Sequence, residues 1–98
     1  MENKIKQAML EIKVTQLADE VARVLLMEEV SYEFIRKQNK ITEEVVTKHM
    51  TDIYKTVTKL RDHQDLAICY GNGEVVNQCW VLIQPLYDLM HKYRELIM

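Results

Sequence analysis

The stretch CYGNGEVVNQCW, Cys69–Trp80, holds both cysteines, both glycines and the single tryptophan of the 98-residue chain. As a metal or redox site it is short of ligands, since neither cysteine belongs to a C-x-x-C pair or has a partnered histidine. As a phosphate loop it lacks the further glycine and the lysine that would surround an anion. A β-hairpin would use G-N-G as its turn between LAICY and EVVNQCW. From Val75 onward, however, apolar residues fall at Val75/Val76, Cys79/Trp80, Leu82/Ile83, Leu86/Tyr87, Leu89/Met90, Tyr93 and Leu96/Ile97. That is a helical period sustained to the C-terminus. It favours a corner between two helices, with Gly71 free to take the left-handed conformation that ends one. Asn72 or Gly73 then caps the next helix, with Glu74 in its first turn. Cys69 and Cys79 become small apolar residues at that corner, near enough for a bridge under oxidation to be considered.

Outward from the corner, punctuation is scarce: two glycines and one proline in the whole chain. A β-sandwich or barrel needs a turn signal about every 8–12 residues, so few long helices are expected. In the C-terminal helix, Pro85 predicts a kink, or a break at Gln84. The middle helix opens at Thr42 as N-cap, with Glu43 and Glu44 where carboxylates favour the helix dipole. Ile41 and Val46 can staple that end. Val46, Met50, Ile53, Val57 and Leu60 form its narrow apolar stripe, with Ala67 and Ile68 extending it, and fraying is expected in the charged stretch RDHQD.

The N-terminal segment, about Asn3 to Lys37, has two apolar sides. Ile5, Ala8, Met9 and Ile12 lie on one; Val14, Leu17, Ala18, Val21 and Leu25 lie nearly opposite. Leu26, Met27, Val30 and Phe34 then return to the first. Without Gly or Pro to break it, a continuous helix of this kind must bury both sides, and one is expected to meet another chain. The alternative is a break near Val14–Gln16 or Glu28–Ser31, giving four shorter helices in a monomeric core. The expected fold is therefore one all-α domain over residues 1–98: an antiparallel up-down-up bundle of three long helices, the first read as one helix or two, associating as a dimer. Met27, Val30 and Phe34 are the candidate interface residues, because alternating faces leave them no home inside one chain. Trp80 joins them as a frequent anchor of interfaces.

The net charge of −2 and pI near 5.9 supply no global basic field for nucleic acid. No apolar run reaches the roughly 18–20 residues of a membrane span, and the charged N-terminus does not read as a signal peptide. Two cysteines without a secretory signal read as reduced thiols in the cytoplasm.

Chemistry-bearing residues are few. Glu28, Glu29 and Glu33 lie within two turns of one helix, and Asp52 follows on the next; helix-borne carboxylates of this kind can hold Mg²⁺. The pattern resembles that of the all-α nucleotide pyrophosphohydrolases related to MazG, whose motif is E-E-x-x-E followed by E-x-x-D. Glu28 and Glu29 fill its first two places. Tyr32 stands in the third with Glu33 one residue late, and the second half reads His49-x-x-Asp52. The resemblance implies a Mg²⁺ site among Glu28, Glu29, Glu33 and Asp52; the other reading of these carboxylates is solvated acidic surface. His49, His63 and His91 show no metal spacing, and the only serine, Ser31, lies on a different helix from Asp88 and His91. A helix-turn-helix could use the basic Arg36, Lys37 and Lys40, but Glu43 and Glu44 would open its second helix and repel phosphate. The reading adopted is a non-enzymatic protein-binding module with no catalytic residue, metal or cofactor, acting on a protein partner rather than on nucleic acid or membrane.

Overall fold

In the computed structural model, which describes residues 2–98, the helical period prevails at the Cys69–Trp80 stretch. The chain forms α1 (Glu2–Arg36), α2 (Glu43–Cys69) and α3 (Gly73–Glu95), with no strand among the described residues. Helix α2 stops because Gly71 takes φ 68°, the only positive φ among the described residues. The Asn72 N–H then donates to the Ala67 carbonyl at 2.8 Å and the Gly71 N–H to Ile68 at 3.0 Å, the bond pair of a Schellman motif. Asn72 at once caps α3, its Oδ1 accepting from the Val75 N–H at 3.0 Å. Gln7 of α1 ties the corner down, donating to the Tyr70 carbonyl at 2.9 Å and accepting from Asn72 Nδ2.

An added Cβ at Gly71 would meet no atom within 4 Å, so the constraint there is backbone conformation alone. Gly71→Ala is accordingly expected to lower stability by about 1–2 kcal/mol in denaturant unfolding. Gly73→Ala, in the first helical position and equally open, should be neutral or stabilising by up to about 1 kcal/mol. Equal losses at both positions would contradict the turn assignment.

Thr42 caps α2 as its side chain suggests, accepting from the Val45 N–H, with Ile41 packed on the core beside fully buried Val46. The stretch RDHQD does not fray; it stays helical, and its His63 is buried because Nε2–H donates to the Leu10 carbonyl at 2.9 Å. Pro85 does not break α3. The carbonyl of Val81, which loses the N–H that Pro85 lacks, belongs to an exposed residue, where water can take the bond.

The break considered in the first helix does not occur. α1 is unbroken through Val14–Gln16 and Glu28–Ser31. At 1.5 Å per residue its 35 residues span roughly 52 Å, nearly the whole 59 Å length of the molecule. Side-chain contacts fix the topology as up-down-up: Leu10 with His63 and Glu28 with His49 run antiparallel, as do Gln64 with Val76 and His49 with Tyr93. The main core joins Leu17 and Val21 of α1 to Ile53, Val57 and Leu60 of α2 and to Ile83, Leu86 and Tyr93 of α3. A smaller one sits beneath the corner, where Leu10 and Val14 meet Ala67, Val75 and Cys79. Cys69 is exposed and Cys79 buried, both as free thiols, and burial pushes the Cys79 thiol up from its ordinary value.

Candidate interaction surface on the first helix

One side of α1 is consumed by folding: Leu10, Val14, Leu17, Val21 and Ile35 are all buried. Besides Leu26, 67% exposed at its edge, the other side is left with a set of six large apolar side chains, Ile5, Met9, Ile12, Met27, Val30 and Phe34, between 59% and 70% exposed. At 100° per residue these six fall within a sector of about 60°, a straight row along the outer face of the bundle. The row has two apolar ends and a polar middle of Gln16, Asp19, Glu20 and Arg23. Scattered exposed apolar residues are ordinary on any protein, but contiguous apolar patches mark contact sites.

Trp80 is half exposed but does not belong to this row. It stands on the flank of α3 that carries Val76 and Tyr87, and both of these meet side chains of α2: Gln64 bonds the Val76 carbonyl and Arg61 lies over the Tyr87 ring. The interface quartet of the sequence thus separates into three residues on α1 and one on the far flank of α3.

The four candidate metal carboxylates are not brought together. Glu33 pairs with Arg36 at 2.7 Å, Asp52 lies 3.8 Å from Lys55, and Glu29 is exposed. Glu28 turns inward instead. Among the described residues no group of three or more His, Cys, Asp or Glu is placed to hold a metal ion. Of the basic cluster, Arg36 is engaged by Glu33 while Lys37 and Lys40 are exposed in the link to α2.

Glu28 forms with His49 and Tyr93 a polar node that joins all three helices. His49 Nδ1 donates to Glu28 Oε2 at 2.8 Å, the carboxylate being the acceptor. Tyr93 donates its hydroxyl to the Glu28 backbone carbonyl at 2.8 Å, with Oε2 at 3.1 Å. The Tyr93 ring stacks on His49 at 5.3 Å and meets Tyr32 edge-on at 5.4 Å. Burial first, then the charge of Glu28, drives the Tyr93 phenol far above its ordinary value of 10.0. Sequence reading gave Tyr93 only a place on the apolar stripe, and nothing in the local sequence links it to a glutamate on α1. The node carries an acid and an imidazole, and its three residues do not line the grooves described next. The groove between α1 and α3, about 460 Å³, is lined by Val14, Thr15, Ala18, Glu74, Asn77, Gln78, Val81 and Leu82. The one between α1 and the end of α2, about 490 Å³, is lined by Lys6, Met9, Leu10, Lys13, His63, Leu66 and Tyr70. The node's hydrogen bonds satisfy polar groups drawn inside the bundle, and among the described residues no buried side-chain polar atom is left unpaired.

Among the described residues no helix is long and apolar enough to cross a membrane. No protein-family model, no curated protein and no solved structure matches this chain.

Proposed function

We propose that this protein is a non-enzymatic binding module that engages protein through the outer face of α1, acting in the cytoplasm, where its two thiols stay reduced. The single observation that supports this is the exposed apolar row of α1 on a helix whose opposite side already serves the core. Each of the six side chains forgoes roughly 1–2 kcal/mol of burial free energy while it faces water. Their sum, about 6–12 kcal/mol, is of the size needed to offset the roughly 4–15 kcal/mol that association costs. The carboxylates read as a metal site are scattered and give catalysis no comparable support.

A photo-crosslinking residue placed at Val30 tests this directly in cells expressing the protein, with the same residue at Lys55 on the outer face of α2 as control. Val30 should yield protein adducts and Lys55 few, and the Val30 adducts should vanish in a Met27→Lys/Phe34→Lys background. Adducts no more abundant from Val30 than from Lys55 would overturn the reading.

A further inference from the structure

We propose that the occupant of this face is a second copy of the chain, lying antiparallel so that the two α1 helices pair about a two-fold axis passing between Asp19 and Glu20. The inference rests on the binding-module reading and names its partner. It follows from how the exposed row is arranged. The apolar residues divide into two triplets placed symmetrically about the middle of the helix, with polar residues between them. Turning a second α1 end over end about the 19–20 peptide sets Ile5 against Phe34, Met9 against Val30 and Ile12 against Met27. Every apolar side chain of the row then meets an apolar one.

Charge selects this direction over the parallel one. In the antiparallel register Arg23 faces Gln16 of the other copy, one turn from the other copy's Asp19 and Glu20. A parallel pair in register would set Arg23 against Arg23, which repel; the acidic residues do not discriminate, because Asp19 faces Glu20 of the other copy in the antiparallel register and Asp19 in the parallel one. Among the described residues Arg23 and Asp19 take no ion pair within the chain, while Glu20 is held by Lys59 at 2.7 Å. The middle of the antiparallel interface therefore carries two cations and two anions from each copy. Opposed macrodipoles favour the same arrangement.

The area is sufficient. Six side chains at roughly 100 Å² apiece give about 600 Å² of apolar surface per copy, before the polar middle is added. A standard interface buries about 800 Å² per partner. The helix also runs nearly the full length of the molecule, so neither end of the pair meets an obstructing element of its own chain.

Disulfide trapping in a Cys69→Ser background reads both pairing and direction. Helices packed face to face at about 8–10 Å bring opposed Cα atoms within the roughly 4.4–6.8 Å that a disulfide needs. Met9→Cys and Val30→Cys are made as separate variants, one carrying a mass tag, and are oxidised mildly alone and mixed. The expected result is a mixed disulfide between the two variants, with neither linking to itself. In the antiparallel pair each Met9 lies roughly 30 Å from its counterpart. Light scattering of the unmodified protein at about 100 µM should give twice the monomer mass, and Ile12→Asp/Met27→Asp should give the monomer mass with helical content unchanged. Self-linking of Met9→Cys alone would show parallel pairing and overturn the proposal. A monomeric mass for the unmodified protein would overturn it too, and Val30 crosslinks to a different protein would then leave the binding-module reading standing.

Discussion

Tyr93→Ala is expected to lower the unfolding free energy by about 3–5 kcal/mol, the range for removing a fully buried aromatic side chain. Tyr93 is the largest fully buried residue, and it touches all three helices. Its loss opens a cavity between His49 and Tyr32, whose rings pack against it, and removes the hydroxyl that satisfies the Glu28 carbonyl. Tyr93→Phe separates the two contributions, because it keeps the ring and loses only the hydroxyl. A cost of about 1–3 kcal/mol is expected near neutral pH, since the bond is partly to a carboxylate and its loss leaves a half-buried acceptor short of a donor.

The pH dependence of that difference carries a definite sign. The Tyr93 phenol titrates higher in the folded protein than in the unfolded chain. Its contribution is therefore fully present below about pH 10, the unfolded value. Above that, the unfolded chain gives up the proton while the folded protein keeps it, so stability falls as pH rises. The unmodified protein should lose more stability between about pH 9 and pH 11 than Tyr93→Phe does, and the gap between them should narrow. Urea unfolding across that range, followed by far-ultraviolet circular dichroism, measures it. Parallel pH profiles would mean that the hydroxyl is not held as described.

Leu17→Ala should cost about 2–5 kcal/mol, whereas Leu26→Ala should stay within about 0.5 kcal/mol. Both replace leucine by alanine within one helix, so propensity cancels and only burial differs. Leu17 is 2% exposed in the main core, and Leu26 is 67% exposed. Leu17→Ala leaves a void that Val57, Leu60 and their neighbours cannot fully close. Leu26→Ala only trims surface. Similar costs at the two positions would show that the wrong face of α1 has been assigned to the core.

These effects bear on how far the sequence could be read. The caps were legible because they are local: Thr42 reaches only to Val45, and Gly71 with Asn72 closes a bond set spanning a few residues. The stripe of α2 was legible as far as Ala67 because its buried residues repeat on one narrow face, whereas Ile68, read as its extension, is exposed. The break considered at Pro85 and the fraying expected in RDHQD do not occur, for a shared reason. Proline's cost and a charged stretch's tendency to fray are intrinsic preferences of a few kcal/mol at most, and tertiary packing overrode them. The exposed carbonyl side of α3 and the Leu10 carbonyl waiting for His63 are both supplied by the fold.

The candidate site divides in the same way. That α1 has two apolar sides is a property of its residue spacing, fixed before any folding occurs. Which side is spent on the core depends on where α2 and α3 present Ile53, Leu60, Ile83 and Leu86, and no periodicity within α1 carries that information. Trp80 shows the limit plainly: its type suggested an interface, but its place on the α2 flank of α3 set it apart from Met27, Val30 and Phe34. Glu28 shows it again, because its neighbours in the chain suggested a metal site, while the neighbours that matter lie on α2 and α3. By itself, then, the sequence determined the caps of the second and third helices and the two-sidedness of the first segment, since these follow from backbone preferences and spacing over a few residues, while leaving open whether that segment was one helix or two. Only the tertiary structure decided which surface remained for a partner and which polar groups were drawn inside, because burial is a property of what packs against a residue and not of the residue itself.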